Sequence, residues 1–240
     1  MFDELIELLR SNAQLILSFV LKIPCVIIAL VIHEFAHSFT AYKLGDPTAK
    51  AEGRVSLNPF KHIDPVGAVC LFLFQVGWAK PVPINPKFFK NRRTGVVLTS
   101  LAGPLANFIA SYICVIFFVI FLVIAQFNTS LFFYYVISVL TQFFLLLSGF
   151  NLVLALFNLL PIFPLDGSRI LMTLLPRKIS KPILRYEKYI AIGFIILLII
   201  DNFTTKFIPS ALEIVFDFVI NTIFLYPIQN LANYLLFIFI

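Results

Sequence analysis

The sequence predicts an all-α multi-pass membrane protein of about five to six transmembrane helices, with a re-entrant loop or small β-hairpin near residues 65–79. Three observations predict it. First, 60% of the 240 residues are hydrophobic and only 12% are charged, about half the ~25% usual in soluble domains. Second, the apolar residues are gathered into runs. Ala13–Tyr42 is broken by little besides Lys22 and a His/Glu cluster, and Val96–Ala125 and Leu131–Leu160 carry no charge at all. Each run exceeds the ~20 residues that cross a hydrocarbon core. Third, the basic residues fall between the runs: Lys43, Lys50, Arg54, Lys61, Lys80, Lys87, Lys90, Arg92 and Arg93 in one cluster, Arg177, Lys178, Lys181, Arg185 and Lys188 in another. Such clusters mark the cytoplasmic side of a membrane protein. The net charge of +6 is therefore a topology signal, and no nucleic-acid partner is expected.

Taken in order, residues 1–12 set Phe2, Leu5, Ile6, Leu8 and Leu9 against Asp3, Glu4, Glu7 and Arg10, the pattern of an interfacial amphipathic segment. The first residues, Met1-Phe2-Asp3-Glu4, hold no basic residue and no small-residue cleavage site follows the first apolar run, so a cleaved signal peptide is not expected. The first span runs inward to Lys43, and 44–94 stays on that side. Val96–Ala125 crosses outward, Gln126–Ser130 turns outside, and Leu131–Leu160 returns. Tyr189–Ile200 and Pro209–Tyr226 are read as further, C-terminal transmembrane helices within 177–240. Pro65–Ala79 is too short to cross and holds Gly67 and Gly77; it is the re-entrant piece, shielded by protein or a water-filled cavity. Ala102, Ala106 and Ala110 recur every four residues, which suits close helix packing in lipid, and Asn107 beside them is placed to bond across helices. Cys25, Cys70 and Cys114 lie in apolar stretches and read as small buried side chains.

The chemistry is concentrated in His33-Glu34-Phe35-Ala36-His37. Residues four apart share a helix face, so both imidazoles can reach one Zn²⁺, and Glu34 lies beside that metal as a candidate base. Ionisable residues inside a membrane span are costly and tend to be functional. A catalytic zinc usually takes three protein ligands, which leaves one to find. His62, the remaining histidine, is one candidate. Asp166, in Asn158-Leu-Leu-Pro161-Ile-Phe-Pro164-Leu-Asp166-Gly167, is the other, although Asp-Gly is also an ordinary turn.

The sequence resembles the site-2 proteases, peptidase family M50, which are intramembrane zinc metalloproteases. The resemblance covers about residues 25–175 and rests on HEFAH, GRVSLNPFKHIDPVG (53–67), GWAKPVPINP (77–86), SLAGPLANF (100–108) and FNLLPIFPLDGSRIL (157–171). It is nearest the compact bacterial branch without a PDZ domain. It implies a catalytic membrane core at 13–176, one zinc ion per chain held by His33, His37 and Asp166, and Glu34 as the catalytic base. It further implies a transmembrane protein as substrate, in the cytoplasmic membrane, with the site nearer the cytoplasmic face. Asn158 is a substrate or oxyanion candidate, or else a cap for the break before Pro161. His62 either touches substrate at the entrance or is a satisfied loop histidine. Three rivals stand beside this reading, of which a transporter or metal-storage protein would need polar residues along more than one span, where 96–125 and 131–160 are almost wholly apolar. A different membrane zincin would want a Glu as third ligand, and downstream of residue 60 only Glu187 and Glu213 are available. A catalytically silent homologue that binds membrane proteins would be marked by loss of the base, and Glu34 is present.

Overall fold

In a bilayer no water is at hand for the backbone, so long apolar runs close their own hydrogen bonds as helices. The computed structural model describes residues 2–74, 79–127 and 130–203, and every regular element among them is helical. The first helix, α1 (Phe2–Lys43), runs unbroken through both the amphipathic start and the first apolar run. A short turn of helix, α2 (Thr48–Ala51), and a 3-10 turn at Pro59–Lys61 lead to α3 (Pro65–Phe74). Two long helices follow, α4 (Arg92–Gln126) and α5 (Leu131–Asn158), then α6 (Asp166–Leu174), α7 (Arg177–Arg185) and α8 (Glu187–Phe203). Three of these are long and apolar enough to cross a membrane: Ile16–Lys43 of α1, α4 and α5. The stretch expected to span at 189–200 lies within α8, which has 17 residues. The stretch 209–226 and the chain beyond it lie outside the described residues, as do 128–129 of the expected outer turn.

The piece expected as a re-entrant loop or hairpin begins as a helix. Pro65 opens α3, and the Asp64 carboxylate accepts from the Gly67 N–H, an N-terminal cap. Pro65–Phe74 also lacks the alternation of polar and apolar residues that a half-buried strand needs. At ten residues the helix is about 15 Å long, half of what a crossing requires. Its flanks meet: Ile63 and Ala79 form one antiparallel bridge, and the Lys80 N–H donates to the His62 carbonyl at 2.8 Å. No strand longer than that bridge forms among the described residues.

The spans α1, α4 and α5 pack on one another, and small side chains line the joint. On α4 the buried face carries Thr99, Gly103, Asn107, Ser111 and Cys114; on α5 it carries Ser148, Asn151, Leu152 and Ala155. The close-packing stripe is therefore Gly103–Asn107–Ser111, one position on from the alanines at 102, 106 and 110, which are half-buried beside it. The reason is polar. Asn107 and Ser111 must turn toward acceptors on the neighbouring helices, and Ser111 Oγ donates to the Ser148 carbonyl at 2.9 Å. Cys25 and Cys114 join Leu147 in the apolar core, and all three cysteines are free thiols.

Candidate metal centre

His33 and His37 stand one turn apart on the buried face of α1, as their spacing predicts. Asp166 reaches them from the first residue of α6. The chain leaves α5 at Asn158, turns through 159–165 and starts α6 directly against the end of α5. Gly167 makes that approach possible. A Cβ there would fall 2.2 Å from the Leu159 carbonyl oxygen and 2.5 Å from that of Leu160. The Asp166 carboxylate thus sits at a helix N-terminus, where negative charge is favoured.

Three ligand atoms converge. His33 Nε2 and His37 Nε2 are 3.0 Å apart, and Asp166 Oδ2 lies 3.1 Å from the first and 3.0 Å from the second. Ligands at the ~2.0–2.1 Å zinc distances, in a tetrahedral arrangement, are separated by about 3.3 Å. The triangle is within a few tenths of an ångström of that spacing, so these residues fit a zinc ion. Among the described residues this is the group of His, Cys and carboxylate side chains able to share one ion.

The outer nitrogens are committed elsewhere. His37 Nδ1 lies 2.7 Å from the Thr99 carbonyl oxygen. A carbonyl only accepts, so Nδ1 carries the proton and Nε2 keeps its lone pair for the centre. His33 Nδ1 lies 2.7 Å from Asn107 Oδ1. Space for both imidazoles comes from α4. A Cβ on Gly103 would lie 2.4 Å from His37 Nε2 and 2.7 Å from His33 Cε1. Only glycine fits there.

Glu34, half-buried on α1, directly follows His33 in sequence. Asn158 ends α5 and donates one Nδ2 hydrogen to the Leu154 carbonyl at 3.0 Å. His62 is buried in the loop before α3, with Nε2 2.6 Å from the Ser56 carbonyl oxygen and Nδ1 buried without a partner among the described residues. It is not among the three convergent ligands, and Asp166 occupies the place for which His62 was the other candidate. Thr99, Gly103 and Gly167 were given no role from sequence; Gly103 lies within SLAGPLANF and Gly167 within FNLLPIFPLDGSRIL, while Thr99 directly precedes the first of these segments.

A helix-borne histidine pair closed by an aspartate, with a glutamate next to the first histidine and set among membrane-length helices, is an arrangement suited to a membrane metallopeptidase. The chain belongs to peptidase family M50, the site-2 proteases. The model of that family matches residues 134–200, a stretch that contains Asp166. Over 181 residues the chain is 42% identical to "Putative zinc metalloprotease YwhC" of Bacillus subtilis, covering 72% of this chain and 76% of that one. It is 34% identical over 97 residues to "Putative zinc metalloprotease Rip2" of Mycolicibacterium smegmatis, covering 38% and 37% of the two chains. The protein of the same description in Mycobacterium tuberculosis is 34% identical over 95 residues, covering 37% and 36%. No solved structure gives a significant match.

Proposed function

We propose that this protein is an intramembrane zinc metalloprotease that hydrolyses peptide bonds within or near the transmembrane segments of other membrane proteins. One observation carries the reading: His33, His37 and Asp166 bring three ligand atoms within 3.1 Å of one another, at the joint of helices long enough to span a bilayer. A zinc ion bound there supplies a Lewis acid that acidifies water and polarises a peptide carbonyl. His33, His37 and Asp166 hold it, one ion per chain. Glu34 takes a proton from the attacking water and passes it to the leaving amide nitrogen. Asn158 has spent one Nδ2 hydrogen on Leu154 and offers the second to a substrate oxygen. His62, bonded to its own loop, keeps that loop in place. The basic clusters at 43–93 and 177–188 set the protein in the cytoplasmic membrane with its site nearer the cytoplasmic face. The expected total of about five to six spans counts α8 and sequence beyond residue 203, which lies outside the described residues.

The test is Glu34→Gln, which removes the base and leaves the three ligands in place. Co-expressed with a library of single-span membrane proteins, the wild type should release fragments ending within or beside a span. The variant should keep its zinc and cut about 10²–10⁴-fold more slowly. Cleavage by Glu34→Gln at the wild-type rate would overturn the mechanism. Absence of cleavage by both forms across the library would favour a homologue that binds membrane proteins without cutting them.

A further inference from the structure

Asn107 is fully buried at the joint of α1, α4 and α5, and its partners reveal which way its amide points. Shape does not distinguish an amide oxygen from its nitrogen; hydrogen-bond partners do. One end of the amide lies 3.0 Å from the Ala29 carbonyl oxygen and 2.7 Å from the Asn151 side chain. A carbonyl accepts only, so that end is Nδ2. Asn151, equally buried, is fixed in the same manner. Its own Nδ2 donates to the Leu147 carbonyl at 2.8 Å, which turns its Oδ1 toward Asn107. Both Nδ2 hydrogens of Asn107 are then used, and the end facing His33 Nδ1 at 2.7 Å is oxygen. Oxygen can only accept, so His33 Nδ1 carries the proton. The lone pair of His33 Nε2 is left for the centre.

We infer that Asn107, braced by Asn151, is a positioning residue that sets the tautomer and ring plane of His33. The inference rests on the zinc-site reading above and deepens it. The two histidine ligands are governed differently. His37 is held by the main-chain carbonyl of Thr99, which no side-chain replacement removes. His33 depends on a side chain of α4, and that side chain depends on one of α5. A chain of two amides thus links the packing of three spans to the orientation of one ligand. Partners of this kind commonly contribute about 10–100-fold to metal affinity.

The experiment measures zinc affinity of the full chain in detergent by competition with a chelator, with thermal unfolding as the control for folding. Asn107→Leu removes both acceptor and donor and should weaken zinc binding about 10–100-fold. Asn107→Asp keeps an acceptor for His33 while losing the donors to Ala29 and Asn151, so it should weaken binding less than Asn107→Leu. A role confined to packing gives the reverse order, because a buried charge is the costlier replacement. Asn151→Leu should cause a smaller drop, and the double variant should bind no more weakly than Asn107→Leu alone, since Asn151 acts through Asn107. Should Asn107→Leu fail to fold, the comparison of Asn107→Asp and Asn151→Leu, singly and combined, carries the same test. Wild-type affinity in Asn107→Leu, a weaker Asn107→Asp, or simple additivity would overturn the inference while leaving the zinc site intact. A wild-type chain that binds no zinc would bring down the zinc-site reading instead, and this inference with it.

Discussion

The two ends of the α1–α4–α5 bundle are built on opposite principles. At the site end, the buried faces carry Thr99, Ser100, Gly103, Asn107 and Ser111 on α4 and Ser148 and Asn151 on α5. At the far end the buried faces carry Cys25 of α1, Val115 and Val119 of α4 and Ile137 of α5, and outward, as at the site end, stand large apolar side chains such as Phe19, Phe117 and Phe132. Water would penalise the outward surface heavily, but lipid tails are as apolar as leucine and do not. Apolar residues at the far end therefore satisfy the solvent, while close contact at the site end comes from small residues and hydrogen bonds between helices. Most of the described side-chain hydrogen bonds between these helices cluster near the three ligands, although Gln142 Nε2 also donates to Ser18 Oγ at 2.7 Å toward the far end.

The contrast can be broken most severely at Gly103. Gly103→Val would push a side chain into the space of both imidazoles, and zinc content should drop to background. Gly149→Val on α5, where an added Cβ meets nothing within 4 Å, should leave zinc content unchanged. Equal loss in both variants would mean that any bulk added to the bundle disrupts the site. A smaller effect is expected from the hydrogen bonds that join the spans. Ser111→Ala deletes the contact to Ser148 and should cost about 0.6 kcal/mol of bundle stability in a bilayer, read by steric trapping or unfolding in bicelles. Phe132→Ala at the far end, 71% exposed, should change stability least of all. A larger loss for Phe132→Ala than for Ser111→Ala would place the specifying contacts at the wrong end.

Sequence legibility followed the same division. The long helices were readable because bilayer thickness and backbone hydrogen bonding leave few alternatives for a charge-free run of thirty residues. His33 and His37 were readable because four residues make a helical turn. Asp166 stood out only as an Asp-Gly pair until the family resemblance chose it over His62. Its contact with the histidines spans more than 120 positions, and it depends on a turn whose direction no local pattern encodes. Asn107 was read as a bond between helices, which it is; that its partner is a ligand follows only from how α4 crosses α1. Gly103 was silent for the same reason, since a missing Cβ acquires meaning only from what lies opposite. The stretch 65–79 was readable as an apolar piece too short to cross, whereas the helix that Pro65 and the Asp64 cap start within it was not.

The central claim is that His33, His37 and Asp166 form one metal centre, and counting zinc tests it most directly. The full chain purified from membranes should hold about one Zn²⁺. His33→Ala, His37→Ala and Asp166→Ala should each lose most of that ion under the same dialysis. His62→Ala, which removes an imidazole bonded to the Ser56 carbonyl of its own loop, should keep it. Full retention of zinc by Asp166→Ala together with loss in His62→Ala would contradict the account and move the third ligand to the loop before α3.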